Sequence, residues 1–444
     1  MKPRKKAKLL ALIPIMFFSV SGGPYGLEEI VASVGPLCTL MLITLIPLVW
    51  TIPECLIVAE LSSNYPVQGG YYRWVYMGLG RFWGFMEGWW SILYTIIDLS
   101  LYPILFTAYL KFFFPDLSFI QIYLIQLMVI WLSALFNILG IRTVGYVLGL
   151  FTSFILISFL FFIVFGMKYI SFDFSPIFKA ENHLTGNNIL YGLSLAFWNF
   201  IGWDNSSTVL DEVHNPNHNY RRSMFINVPI IVFFYFFTLI VSLSINTNWE
   251  SWTFGEFSRI ASAMGHHVLA VVLTIGGMAM CLGLFNSLML SSTRIFSTMA
   301  DDNLFPSMFS RIHSKFHTPY IAIIFVSILY SFLVLVDFKN LVVYDVFLYL
   351  IAISLEAVAL IVLRRKIPEN GLHFQVPFGK VGFWFSILML FVCIVLVTVA
   401  NAISIISPLK GAAFSLLLAF SGIPAYFFFL NRKKIPLVIK KLYK

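Results

Sequence analysis

Apolar runs of membrane-crossing length recur along the whole chain, near 9–34, 37–62, 82–110, 119–139, 145–167, 188–210, 224–245, 266–298, 319–336, 341–363, 381–405 and 409–430. About 20 apolar residues cross a bilayer as a helix, so the pattern predicts about twelve transmembrane helices. The runs do not alternate apolar with polar residues, which argues against a β-barrel. Only 11% of the 444 residues are charged, against 59% hydrophobic. An ordinary soluble domain carries about 25% charged residues. A soluble enzyme of this composition could not cover its own surface.

The basic residues between the runs orient them. With the N-terminus inside, 23 Lys and Arg fall on the cytoplasmic side and 6 on the outer side. This split supports twelve spans and both termini in the cytoplasm of a cell that carries the chain in its plasma membrane or, for a bacterium, its inner membrane. The basic start, Met1 to Lys8, mimics a signal peptide, but no small-x-small cleavage site follows, so it reads as the lead-in to an uncleaved first helix. The net charge of +9 is then a topology signal. No Lys/Arg stripe interleaved with stacking aromatics points to nucleic acid. Cys38, Cys55, Cys281 and Cys393 lie inside apolar runs without metal-ligand spacing, so no disulfide, metal or cofactor is expected.

Two runs are interrupted. Span 1 contains Ser21-Gly22-Gly23-Pro24-Tyr25-Gly26, and three glycines and a proline in six residues do not continue a helix. Span 6 contains the polar stretch Asn199 to Ser207. Unwound backbone at membrane depth persists only when buried in protein or lining a cavity. Breaks in spans 1 and 6 occupy matching positions of two five-span halves, the sequence mark of an inverted-repeat secondary transporter with a midplane site. The expected fold is therefore an all-α polytopic membrane protein of about twelve helices. Residues 1–167 form the first repeat, 168–366 the second, and 367–444 two further helices with a basic tail.

An ionisable residue inside a span is a functional candidate by default. Those singled out are Glu28, Glu29, Glu54, Glu60, Glu87, Asp98, Asp204, Asp211, Glu212 and Glu356, with no Lys or Arg comparably deep. A buried carboxylate without a basic partner must be protonated or neutralised by something that arrives, and the arriving species would be a cation. On span 3, Glu87, Ser91, Tyr94, Asp98 and Tyr102 follow steps of 4, 3, 4 and 4, one face of a helix. Asp98 reads as a site residue or a buried hydrogen-bonder, and Glu87 as a relay or an anchor of the helix end. Asp204 reads as a cation site, a helix cap or both. Glu28 and Glu29 open the half-helix after the first break, where the dipole also favours acids. Glu54 and Glu60 read as packing or loop anchors, and Asp211 and Glu212 as end groups or part of a gate. Trp198, Trp203, Tyr94 and Tyr102 flank the breaks and could face an ammonium group, Trp203 being the aromatic favoured here. No nucleophile–base set, P-loop or H-E-x-x-H is present, so no enzyme is expected.

These residues resemble a known family. SGGPYGLEE (21–29), IPECLIVAELSSNYPVQGGYYRWV (52–75), FWGFMEGWWSILYTIIDLSLYPILF (82–106), FWNFIGWDNSSTVLDEVHNP (197–216) and STRIFSTMADDNLFP (292–306) are similar to the amino acid–polyamine–organocation superfamily, closest to its polyamine-uptake and L-type amino acid transporter-like branch. The resemblance implies that the two breaks and span 3 line the substrate site. That carries over to Gly22, Gly23, Glu28, Asp98, Tyr102, Trp203 and Asp204, with Tyr94 beside them. Three features depart from relatives. The termini are short. Span 5, around Gly145 to Phe165, lacks the lysine of some proton-coupled relatives. The outer loop Lys111 to Ser118 has no cysteine for a disulfide-linked heavy chain.

The expected function is alternating-access transport of a small cationic amine such as putrescine or spermidine, with an amino acid permease or exchanger as the alternative. A diamine needs two anionic anchors. Amino acid relatives hold the carboxylate on amides of the first break, where Pro24 removes a donor and Glu28 and Glu29 would repel it. Proton coupling is expected through Asp98 and Glu87. The rival is a sodium site of span-1 carbonyls with Ser287, Ser291, Ser292 or Thr293, whose hydroxyls could equally bond back to their own helix.

Overall fold

The structure, a computed structural model, describes residues 6–170, 186–366, 372–404 and 411–430. The chain before Lys6, most of the loop after span 5 and the basic C-terminal tail expected in the cytoplasm lie outside the described residues.

The first predicted span is a broken helix. α1 (Leu9–Val20) ends at Ser21, and α2 (Leu27–Ile46) begins after Gly26. Between them Gly22, Gly23 and Gly26 take φ of +67°, +115° and +94°, values that L side chains rarely adopt. Space is as restrictive as conformation, because a Cβ on Gly22 would lie 2.6 Å from Met280. α2 in turn contains a boundary. Gly35 has φ +77° and ψ +168°, and Pro36 follows it. That Gly-Pro step ends span 1 and starts span 2, as the run boundaries predict. Span 2 continues through a π-helical turn (Pro47–Thr51) into α3 (Ile52–Asn64).

A short loop helix, α4 (Gly70–Leu79), leads to α5 (Arg81–Leu110), α6 (Phe119–Leu139) and α7 (Ile141–Gly166). Span 6 is the second broken helix: α8 (Gly186–Trp198) stops, and a 3₁₀ segment (Asn205–Glu212) resumes after the gap. Then follow α9 (Pro216–Ile245), the loop helix α10 (Glu256–Ala263), α11 (His267–Asp301), α12 (Tyr320–Leu333), α13 (Phe338–Arg364), α14 (Gly379–Ser404) and α15 (Gly411–Leu430). Among the described residues, eight helical stretches are long and apolar enough to cross a membrane. Four shorter apolar helices stand at the other predicted positions.

Burial sorts the helices. In the most apolar stretch of α5, 83% of residues are buried, against 33% in α6 and in α14. α6 and α14 turn Trp131, Leu135, Leu388 and Val395 outward, as lipid-facing helices do. α5 packs on α11 and α13 at the centre. The two breaks lie side by side there. The Ser19 and Ser206 hydroxyls are 2.6 Å apart, and the Tyr235 hydroxyl of α9 sits 2.8 Å from Ser21 Oγ and 3.2 Å from the Asn199 carbonyl.

Candidate functional site

The polar stripe of α5 faces the two breaks. Glu87, Ser91, Tyr94, Asp98 and Tyr102 are all buried, as the 3.6-residue period requires of one inward face. Asp98 accepts from the Tyr102 hydroxyl at 2.9 and 3.0 Å and from the Trp198 indole N–H at 2.8 Å. The Tyr102 and Trp198 rings stack, centroids 5.9 Å apart. One turn along, the Tyr94 hydroxyl donates to Asn205 Oδ1 at 3.1 Å.

α13 supplies the opposing face, which sequence reasoning largely missed. Asp345, Tyr349 and Glu356 are separated by 4 and 7 residues and are all buried. Asp345 shares one small cavity with Tyr94, Asp98, Tyr102, Trp198 and Tyr349. The volume is about 20 Å³, room for roughly one water. The Tyr94 and Tyr349 rings meet edge-on at 5.3 Å. The Tyr349 hydroxyl lies 2.5 Å from both Glu54 Oε1 and Asp204 Oδ1 and accepts from the Gly202 amide at 3.0 Å. A hydroxyl donates one hydrogen. Two carboxyl oxygens at that range are satisfied together when one carboxyl group carries a hydrogen itself. This is an arrangement that can hold and release a proton.

Glu54, Glu87, Asp98, Asp204, Asp345 and Glu356 thus converge on the breaks. No Lys, Arg or His among the described residues makes an ion pair with any of them. Ion pairs among the described residues include Arg73 with Asp302 (2.7 Å), Arg294 with Glu212 (2.9 Å), Arg364 with Glu60 (3.1 Å) and Arg259 with Glu256 (2.8 Å). The first three gather at the end of the bundle where the chain begins, where the Ala7 N–H also donates to the Glu212 carbonyl at 2.8 Å. Glu212 and Glu60 therefore tie that end together.

The predicted site residues separate into two groups. Tyr94, Asp98, Tyr102, Asp204 and Glu87 are brought together. Asp204 bonds Tyr349 and makes no side-chain capping bond to the 3₁₀ segment. Glu54, expected as a packing group or loop anchor, belongs to this cluster. Gly22 and Gly23 shape the break without lining the cavity. Glu28 is turned elsewhere: its oxygens accept from the Gly26 amide at 2.8 Å and the Gly255 amide at 3.3 Å, anchoring the loop before α10. Trp203 is fully buried and donates to the Phe200 carbonyl at 2.9 Å, so Trp198 is the tryptophan at the cavity. Ser291 and Ser292 bond back to carbonyls of α11. Ser287 instead reaches Ser19, itself the partner of Ser206, with Ser19 Oγ 3.4 Å away, and donates to the Ile15 carbonyl at 3.2 Å.

Comparison with known proteins agrees with this architecture. A family model described as amino acid permease matches residues 14–423. A protein of Arabidopsis thaliana named as a probable polyamine transporter is 34% identical over 421 residues, 94% of this chain and 83% of that protein. The polyamine transporter RMV1 of the same plant is 32% identical over 93% of this chain and 83% of its own length. The polyamine transporter PUT1 of Oryza sativa subsp. japonica is 32% identical over 85% of this chain and 71% of its own. The chain is a multi-pass membrane transporter and belongs to the amino acid permease family of the amino acid–polyamine–organocation superfamily.

Proposed function

We propose that the chain is a secondary active transporter of a small cationic amine, putrescine- or spermidine-like, that works by alternating access and is driven by protons. The observation that carries this reading is the convergence of six buried carboxyl groups on the two breaks with no basic partner among the described residues. Desolvated carboxylates need a positive charge or a proton, and a polyamine supplies the former. The names of the relatives point the same way.

The first break supports a cation over a carboxylate. Amides of a broken helix are the usual holders of an anionic group. Here the Gly22 amide is bonded to the Phe17 carbonyl, the Gly23 amide to Ser21 Oγ and the Gly26 amide to Glu28, while Pro24 has none. An amino acid substrate would have to displace these partners. The permease family name keeps amino acid transport as the second reading.

On this reading residues 1–167 and 168–366 are the two inverted repeats, both termini face the cytoplasm, and the ion pairs of Arg73, Arg294 and Arg364 close the cytoplasmic end. Proton coupling would run through Asp98, Glu87 and the Glu54–Tyr349–Asp204 bridge. The sodium alternative has the Ser19–Ser206–Ser287 oxygens at its disposal. Uptake of radiolabelled putrescine and of leucine into proteoliposomes tests the proposal. Accumulation of putrescine is expected, and accumulation of leucine alone would replace it with the amino acid reading.

A further inference from the structure

Asp345 has no partner. It is 1% exposed, neither carboxyl oxygen meets a hydrogen-bond donor, and it lines the cavity shared with Asp98. Asp98 contrasts with it, because Tyr102 and Trp198 already hold its oxygens. One carboxyl group is thus fixed in place and the other left open. A buried acceptor of this kind is costly until a donor arrives. The tyrosine and tryptophan donors around the cavity are committed elsewhere, Tyr94 to Asn205, Tyr102 and Trp198 to Asp98, and Tyr349 to Glu54 and Asp204. A donor that enters the cavity would satisfy Asp345.

The placement follows from helix geometry. α5 and α13 each carry two acids 11 residues apart, Glu87 with Asp98 and Asp345 with Glu356. Eleven residues are close to three turns, so each pair shares one face. The helices run antiparallel with Tyr94 against Tyr349 between the acids, so Asp98 meets Asp345 at one level and Glu87 and Glu356 lie at the other. Tyr349, with Glu54 and Asp204, is one turn from Asp345, a rise of about 6 Å. An extended four-carbon diamine reaches across that rise.

Resting on the reading of the chain as an amine transporter, we propose that Asp345 and Asp98 form an ammonium subsite, with Asp345 selecting substrates that carry two amines over those that carry one. An ammonium group brings three N–H donors and a charge, which suits the two open oxygens of Asp345 and the stacked Tyr102–Trp198 faces. The second amine reaches the acids at Tyr349. A molecule with an amine and a carboxylate would set its carboxylate against one of these acid groups, so the site rejects it.

The test is displacement of radiolabelled putrescine from the full-length protein in nanodiscs by putrescine, n-butylamine and leucine. Asp345→Asn and Asp345→Ser should weaken putrescine on the order of tenfold or more, as expected for one partner of a buried charge contact, and n-butylamine much less. The preference for two amines then shrinks. Asp345→Glu should keep it. A purely structural role would weaken both amines together, and that result, or an unchanged preference in variants with normal thermal midpoints, overturns the subsite. Should both neutral variants fail to fold, Asp345→Glu decides. Its longer arm should shift the ranking from putrescine toward propane-1,3-diamine, and an unchanged ranking refutes the proposal. Wild-type protein that binds radiolabelled leucine and not radiolabelled putrescine would remove the amine reading on which this inference rests. Putrescine binding that is indifferent to residue 345 would remove this inference alone.

Discussion

Replacing Tyr349 by Phe deletes one oxygen atom that three groups share. The ring and its edge contact with Tyr94 remain, so the change isolates the hydroxyl. The Gly202 amide, now at 3.0 Å from that oxygen, loses its acceptor in a buried site. An unsatisfied buried donor costs about 1–3 kcal/mol. Glu54 and Asp204 each lose a contact of 2.5 Å. Contacts of that charge-assisted kind contribute about 1.5–3 kcal/mol each, but the two acids can then bond to each other through a shared proton, which offsets much of the loss. A net destabilisation of about 2–4 kcal/mol is expected, read by equilibrium unfolding in mixed micelles. A double-mutant cycle makes the test specific. Tyr349→Phe and Asp204→Asn touch the same bridge and should couple by about 0.5–3 kcal/mol, whereas surface changes far from the bridge should add. Full additivity with Asp204→Asn, or a destabilisation by Tyr349→Phe below about 0.5 kcal/mol, would refute the bridge.

Asp98→Asn and Asp204→Asn should each weaken putrescine binding tenfold or more, on the order expected for a desolvated charge partner. Glu28→Gln, whose carboxylate holds the Gly26 and Gly255 amides away from the cavity, should leave affinity within about threefold while lowering the thermal midpoint. Equal losses in all three would return Glu28 to the site. Gly202→Ala should abolish folding or transport, because Gly202 has φ +101° and an added Cβ would run into the Ser19 backbone oxygen of the other broken helix. A variant with normal uptake would show that the two breaks do not touch. Under a clamped membrane potential, uptake should respond to an inward proton gradient without sodium. The clamp is needed because voltage alone pulls a cation at about 2.3 kcal/mol per charge per 100 mV. Stimulation by sodium alone would move the coupling to the Ser19–Ser206–Ser287 oxygens.

The spans and breaks were legible because each has a local cause. Apolar length marks a helix, and Gly35-Pro36 marks the seam between the first two spans. The stripe from Glu87 to Tyr102 was legible because a continuous helix has a fixed period. Asp345 had the same signal in its steps to Tyr349 and Glu356, but a lone acid near the start of an apolar run resembles an end group. The broken segments were less readable for a physical reason. Without a helical period, sequence does not say which way a side chain points, so it favours Trp203, whereas Trp198 lines the cavity. Glu28 escaped because its partner, the Gly255 amide, is 227 residues away in the chain. Ser291 and Ser292 show the other limit, since a serine in a helix bonds its own backbone unless a neighbour competes.

The most direct measurement is an experimental structure of the full-length protein with putrescine bound. The account predicts one nitrogen in hydrogen-bond range of Asp98 and Asp345, beneath the Tyr102–Trp198 stack, and the other near Asp204, Glu54 and Tyr349. Putrescine bound at the first break, or at the end of the bundle where Arg294 pairs with Glu212, with Asp345 still unpartnered, would contradict it.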